Sequence, residues 1–303
     1  MPDAAVLLLA HGTPDKVEEI PVYLRNVTSG RPLPPEVVVE LQRRYSLIGH
    51  SPLTEITLRQ AEMVAAELGL PAYVGMRNWR PYISKAVKRM AADGVSTAVA
   101  VCLAPHNSRT SVGLYRRAIL GETGDAPFPV AFVESWHDHP LLIEAFAEKL
   151  HSGWRRASEE FGAPLPVIFT AHSVPEQTIT EGDPYEAQTR ATAALVAAAA
   201  PEVTEWRFAF QSQGASGGAW LGPTVEETIT ALSAAGQKGV FVQPIGFVCD
   251  HVEVLYDIDI AFRRFAESKG MRLWRAESLN DSPLLARAVA DVARKNLHAA
   301  RQL

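Results

Sequence analysis

Short apolar runs alternate with longer amphipathic stretches from one end of the 303-residue chain to the other. The apolar runs at residues 5–10, 71–76, 97–104, 130–134, 167–171, 206–210, 240–247 and 271–275 are mostly rich in Val, Ile, Phe and Ala and do not alternate cleanly with polar residues. Continuous apolarity over so few residues is the pattern of strands buried on both faces. The last run is the least regular, because Arg272 and Arg275 interrupt it. Between these runs, residues 53–68, 82–93, 140–161, 184–199, 224–235, 251–268 and 283–297 place their apolar side chains at helical spacing. The final stretch opens on Asn280-Asp281-Ser282-Pro283, a capping residue followed by proline at the first helical position. Strand–helix alternation of this kind predicts an α/β fold, a parallel sheet with helices on both faces.

Four of the predicted strands fall before about residue 136 and four after about residue 165, which divides the chain into two similar halves, residues 1–138 and 139–303. That split suits a length at the upper edge of a single core. The helix predicted over 140–161 is the bridge, and the final helix is free to pack back on the first half. Each half carries the same local phrase at the end of its first strong strand: LLLAHGTP at 7–14 and IFTAHSVP at 168–175. Ligands of open parallel sheets bind at the carboxyl ends of the strands. His11 and His172 are therefore predicted to stand on two rims facing one cleft.

Composition narrows the function classes. The net charge of −5 comes without a basic block, which argues against nucleic acid as a partner. No apolar run approaches the roughly 18–20 residues that span a bilayer, and the first ten residues lack the basic region and cleavage site of a signal peptide. The two cysteines, Cys102 and Cys249, lie far apart in apolar runs and read as small buried hydrophobes. The expected compartment is the cytoplasm.

Several clusters could carry chemistry. In Cys249-Asp250-His251-Val252-Glu253-Val254-Leu255-Tyr256-Asp257, a helix starting at Asp250 would put residues 250, 253 and 257 on one face. That face is either a solvated acidic surface beside a helix start or part of a site. His172 is either a satisfied, partly buried residue or a reactive one. Downstream stand Glu181-Gly182-Asp183-Pro184-Tyr185, Phe210-Gln211-Ser212-Gln213-Gly214 and Trp220-Leu221-Gly222-Pro223. The glycine-rich 214–218 lacks both the P-loop ending and the GxGxxG spacing, and reads as a flexible loop over a cleft. In the first half, Arg43-Arg44-Tyr45-Ser46-Leu47-Ile48-Gly49-His50-Ser51, with Tyr115 among Arg109, Arg116 and Arg117, offers forked guanidinium donors, hydroxyls and aromatic surface. Such groups suit the carboxylates of a flat aromatic ligand, or else Arg43 and Arg44 belong to a helix end.

Together these motifs resemble the ferrochelatases, which insert Fe(II) into a porphyrin on the way to haem. The match runs nearly end to end: Gly-Thr-Pro at 12–14, RRYSLIGHSPL at 43–53, FTAHSVP at 169–175, EGDPY at 181–185, FQSQG at 210–214, WLGP at 220–223, GFVCDHVEVLYDID at 246–259 and RAESLNDSP at 275–283. The resemblance implies two Rossmann-like domains with the macrocycle in the cleft between them. It implies His172 and Glu253 as the catalytic pair and the metal contacts, and Asp257 as a relay. Further members of the family carry another carboxylate one turn on, where this chain has Ala261. The short, polar span between Gly12 and Ser51 is similar to that of bacterial coproporphyrin III ferrochelatases rather than to the apolar lip of the protoporphyrin IX enzymes. In that subgroup, residues matching His11, Thr28, Arg44, Tyr45, Ser51 and Tyr115 contact the substrate. At His11 the subgroup prefers a tyrosine that ligates product iron, and imidazole is also an iron ligand. Asn78 stands where some relatives have a histidine beside a metal-binding rim.

The resemblance further implies Fe(II) as substrate, no tightly bound cofactor, and transient contact with neighbouring haem-pathway enzymes. An iron–sulfur cluster held by four cysteines, as in animal and some bacterial relatives, does not fit two. Three alternatives stay open: a protoporphyrin IX ferrochelatase, a non-catalytic tetrapyrrole or haem carrier, and a chelatase of the small cobalt and sirohydrochlorin type, which also places a histidine after its first strand.

Overall fold

The computed structural model describes residues 3–120, 126–213 and 218–300, for 298–300 the backbone only. Eight strands form two sheets, each four-stranded and parallel throughout. In chain order the first half runs β1 (Ala4–Ala10), α1 (Ile20–Val27), α2 (Pro35–Ile48), α3 (Leu53–Leu68), β2 (Ala72–Met76), α4 (Ile83–Ala92), β3 (Thr97–Cys102), α5 (Val112–Leu120) and β4 (Val130–Val133). The long α6 (Pro140–Phe161) leads into β5 (Val167–His172), α7 (Glu176–Thr180), α8 (Tyr185–Ala198), β6 (Trp206–Gln211), α9 (Val225–Ala234) and β7 (Gly239–Pro244). The chain ends with α10 (Val252–Leu255), a π-helical segment over Asp257–Phe262, α11 (Arg263–Ser268), β8 (Arg272–Arg275) and α12 (Pro283–Ala300).

Strand order is β2-β1-β3-β4 in one sheet and β6-β5-β7-β8 in the other. The second half therefore repeats the first, with β5 in the place of β1. Every residue of β1 is buried, as a strand covered by helices on both faces must be. The helices that cover the sheets carry their own boundary signals. Proline occupies the first turn of α6 and left-handed Gly162 ends it, while Thr224 and Glu227 form a capping box at α9. One core cluster runs from Val6, Leu8 and Val101 of the first sheet, through Phe146 and Leu150 of α6 and Leu285 and Val289 of α12, to Phe169 and Phe241 of the second. The last helix packs against α3, β3, β4 and α6. No helix among the described residues is long and apolar enough to cross a membrane.

Three sequence expectations change. The strand expected over 240–247 stops at Pro244, and Gly246, Phe247, Val248, Cys249 and His251 beyond it line the cleft. The continuous helix expected over 251–268 is instead a four-residue α-turn, a π segment and a short α-helix. Four helices were not among the predicted stretches: α1 and α2, which lie among prolines, α5, which is nine residues long, and α7, which is five. The two arginines that blur β8 are explained by its edge position. Arg275 forks onto Asp259 at 2.8 and 2.9 Å, and the Arg272 guanidinium lies 4.4 Å from the Trp274 ring centre.

Beyond the end of β1 the chain makes a turn that only glycine allows. Gly12 has φ +85°, and a Cβ there would sit 2.8 Å from the backbone nitrogen of Trp79. Gly69, which caps α3 with φ +66°, has open space around it. Both carry the cost of a left-handed side chain, about 1–2 kcal/mol, and only Gly12 adds a backbone overlap. Gly12→Ala is accordingly expected to lower the melting temperature by several degrees more than Gly69→Ala, measured by circular dichroism on the two variants side by side.

Candidate functional site

The carboxyl ends of β1 and β5, the central strands of the two sheets, open into the same cavity of about 460 Å³. Its wall is largely apolar, and the polar groups that interrupt it come from both halves: His11, Tyr45, Ser51, Arg77 and Tyr115 from the first, and His172, Tyr185, His251 and Glu253 from the second.

At the second rim, His172 Nε2 lies 3.4 Å from Glu253 Oε1. The His172 ring is fixed from behind by a short contact in which Nδ1 donates to the Ser173 carbonyl, and Nε2 faces the carboxylate. The Tyr185 hydroxyl donates to the His172 carbonyl at 3.0 Å. Glu253 is held twice: its other oxygen lies 3.3 Å from His251 Nε2, while His251 Nδ1 donates to the Cys249 carbonyl at 3.0 Å. The Gln211 side chain links the strand ends to this pair, donating to the Glu253 carbonyl at 2.9 Å and accepting from Thr170 Oγ1 at 3.1 Å. Burial opposes the charged form of His172, but the Glu253 carboxylate outweighs it and raises the imidazole to about 9. Burial likewise opposes ionisation of Glu253, and the two imidazoles overcome it, leaving the carboxyl well below its ordinary range.

The acidic face expected from residues 250, 253 and 257 does not form as one face. His251 is extended, with φ −163° and ψ −177°, so the helix starts one residue after it. Asp250 turns away from the cleft, accepting from Ser278 Oγ at 2.7 Å and Asn280 Nδ2 at 2.9 Å. Asp259 is occupied by Arg275. That leaves Glu253 in the cleft wall and Asp257 behind it at the start of the π segment, bonded to Ser212 and 3.2 Å from Arg44. Burial first, and the Glu253 charge as well, raise the Asp257 carboxyl.

At the first rim, His11 faces the open cleft although protein surrounds it at longer range. That enclosure, with the Arg77 charge, lowers its pKa to about 4, so the ring is neutral. The Asn78 amide nitrogen lies 3.0 Å from its Nε2 and 3.3 Å from its Nδ1. Tyr45 is buried in the wall and shares a 2.7 Å hydrogen bond with Thr13. Ser51 Oγ and Arg77 Nε are buried and make no hydrogen bond among the described residues. The Arg77 guanidinium lies 5.6 Å from the Tyr115 ring centre. Two expected contacts are not part of the wall. Thr28 ends α1, donating its hydroxyl to the Arg31 carbonyl at 2.7 Å, and Arg44 lies at the rim between Glu40 and Asp257. Trp220 reaches the cleft, while the preceding 214–217 lie outside the described residues.

Sequence reasoning passed over His251, Arg77 and Tyr185 as members of the site. His251 is two residues from Glu253 in an extended backbone, Arg77 directly follows β2, and Tyr185 closes the EGDPY turn. A strand-end position was the available signal for Arg77. The other two stood in segments the sequence singled out, residues 249–257 and 181–185, but their roles lay in the tertiary contacts.

The comparisons with known proteins cover nearly the whole chain. The family model described as Ferrochelatase matches residues 3–297. The Ferrochelatase of Acidobacterium capsulatum is 54% identical, over 97% of this chain and 94% of that one. The Coproporphyrin III ferrochelatase of Geobacillus thermodenitrificans is 36% identical, over 96% and 95%. Among solved structures, SirB from Bacillus subtilis with Fe3+ shares the fold at a TM-score of 0.59 and 11% identity, covering 98% of both chains. The parallel sheets, the shared cleft and these matches place the chain in the ferrochelatase family, enzymes that insert a metal into a porphyrin.

Proposed function

We propose that this enzyme inserts Fe(II) into coproporphyrin III, with His172 and Glu253 receiving the metal and the pyrrole protons. The carrying observation is the 3.4 Å contact between an imidazole nitrogen and a carboxylate in the wall of an otherwise apolar cleft. Metallation must remove two pyrrole protons and strip water from Fe(II). Once the incoming metal displaces the proton that His172 holds against Glu253 in the unliganded protein, an imidazole and a carboxylate suit both tasks, as bases and as donors to a borderline metal. Two such ligands bind Fe(II) loosely enough to hand it over. His251 occupies one Glu253 oxygen and leaves the other to His172. Asp257, with its raised carboxyl joined to the rim residue Arg44, is the next acceptor on a path outward.

The substrate choice rests on charge. Coproporphyrin III carries four carboxylates, and the cleft offers donors without partners in Ser51 Oγ and Arg77 Nε, with Tyr45 and Tyr115 beside them and Arg44 at the rim. Thr28 and His11 belong to the same reading as contacts on the first-half side. The 36% identical Geobacillus thermodenitrificans relative is named for this substrate. Protoporphyrin IX is the second reading, favoured by Val22, Val39 and Leu47, which make the lip of α1 and α2 less polar than its sequence suggests. A cytoplasmic location and transient contact with neighbouring haem-pathway enzymes belong to the same proposal.

Anaerobic Fe(II) with coproporphyrin III is expected to turn the free-base absorption spectrum into that of the iron complex faster than with protoporphyrin IX. Equal or faster turnover of protoporphyrin IX overturns the substrate assignment, and porphyrin binding without metallation identifies a carrier. His172→Ala and Glu253→Gln are each expected to lower kcat by about 100-fold or more; unchanged rates would refute the paired roles. The same contact fixes a titration. In the unliganded protein His172 titrates near 9. In Glu253→Gln the counter-charge is gone and burial remains, so the midpoint is expected to fall, as read by the histidine ring resonances in NMR; an unchanged midpoint would refute the pairing.

A further inference from the structure

The first half of the cleft holds a cation without a counter-ion. Arg77 directly follows β2, lines the cavity and makes no ion pair among the described residues. Its place is fixed by the backbone: the Arg77 N–H donates to the Ala10 carbonyl at 3.0 Å, and the Met76 N–H to the Pro81 carbonyl at 2.7 Å. The side chains that feel its charge are His11, Tyr23 and Tyr115, with the Tyr115 ring centre 5.6 Å away. None of them is an anion, since burial raises both tyrosines and His11 stays neutral. Glu253, the carboxylate of the cleft wall, is already engaged by His172 and His251. Arg77 Nε is nevertheless buried and unbonded, and so is Ser51 Oγ, a second donor in the same wall. The Thr54 hydroxyl, 3.9 Å from Met76 Sδ, sets the segment that carries Ser51 beside the end of β2.

We propose that Arg77 is a specificity-determining residue, taking one carboxylate of the porphyrin inside the cleft while Arg44 serves another at the rim. The inference rests on the reading of the cleft as a porphyrin site. A guanidinium cannot shed its charge, and its planar fork of donors matches the two oxygens of a carboxylate. In an apolar wall that pairing meets little competition from water. The two arginines stand in different places: Arg77 lines the cavity, whereas Arg44 lies outside it between Glu40 and Asp257. Coproporphyrin III bears a propionate on each of its four pyrroles, so its inward and outward edges both present carboxylates. Protoporphyrin IX bears its two propionates on neighbouring pyrroles, along one edge, and turns vinyl groups to the other. With its propionates at the rim it leaves Arg77 facing a vinyl group, charged and unpaired. A site built around a buried polar group rejects a ligand that leaves this group without a partner.

The test uses the full chain without metal: fluorescence titrations with free-base coproporphyrin III and with free-base protoporphyrin IX. Arg77→Leu is expected to weaken coproporphyrin III about 10- to 100-fold, the range for a lost hydrogen bond to a charged group, and to hold or tighten protoporphyrin IX. The ratio of the two affinities is the readout, because a merely structural role lowers both alike. Arg77→Lys, which keeps the charge and loses the fork, is expected to fall between wild type and Arg77→Leu. Arg44→Leu is expected to weaken both porphyrins and leave their ratio near the wild-type value, since each keeps carboxylates for the rim. An unchanged ratio in Arg77→Leu overturns the proposal. So does a fall in kcat with both affinities kept, which would place the charge in the reaction rather than in recognition. If wild type binds neither porphyrin, the porphyrin reading fails and the proposal with it. If wild type prefers protoporphyrin IX, the coproporphyrin assignment fails, and the shift in ratio still decides the role of Arg77. Where Arg77→Leu does not fold, judged by circular dichroism, Arg77→Gln supplies the uncharged variant.

Discussion

A single carboxylate in an apolar cleft dictates much of the arrangement around it. An ionised Glu253 in such a place requires opposite charge and hydrogen bonds, because stranding it there costs several kcal/mol. His172 and His251 supply them at 3.4 and 3.3 Å. For both to reach one carboxylate, the end of β5 must meet the segment after β7, and Gln211 at the end of β6 secures that meeting through the Glu253 backbone. Gly246 allows the approach, since a Cβ there would lie 2.8 Å from the Cα of Ala171. The local geometry of residues 245–257 thus answers to one charge rather than to helix propensity.

The other acids nearby are handled so that this charge stays singular. Arg275, one of the arginines that blur the last strand, forks onto Asp259 and lies 3.5 Å from Asp250. Ser278 and Asn280, from the RAESLNDSP phrase, complete the coordination of Asp250. Had all four carboxylates of the 250–259 segment faced the cleft, their mutual repulsion would have protonated some of them and trapped a cation among the rest. The conventional strand–turn–helix phrase of the C-terminal segment is therefore a device for sorting acids. Two go to the scaffold, one to the cleft and one, Asp257, to the space behind it.

How much of this was legible in the sequence follows from which forces act locally. Strand cores and the capped helices were readable, because burial on both faces leaves an unbroken apolar run and because proline, glycine and capping residues act within a few positions. The cleft was readable for the same reason: strand ends terminate apolar runs, and His11, His172 and Glu253 lie at or just beyond such ends. The π segment was not, since a register change from four to five residues per hydrogen bond leaves the apolar spacing of Val254, Ile258 and Phe262 intact. Nor was the fate of Asp250, which is decided by Asn280 thirty residues away. His251 shows the limit most sharply. Next to a capping aspartate it reads as part of a helix start, and only an extended backbone turns it onto Glu253.

The two halves repeat each other in strand order, and the phrase Ala-His closes the same strand in each. Duplicated position did not produce duplicated chemistry, and the difference lies in what stands beside each ring. The Ser173 carbonyl accepts from His172 Nδ1, and Glu253 faces its Nε2. A ring so held, with a counter-charge in contact, is driven toward the imidazolium. His11 hydrogen-bonds to no carboxylate among the described residues; near its ring stand the Asn78 amide, the Tyr23 edge and the Arg77 charge. The protein around it and the Arg77 charge lower its pKa to about 4 and keep it neutral. One fold thus raises the pKa of one histidine and lowers that of the other at the same topological point, with a glutamate beside the first ring and an arginine near the second.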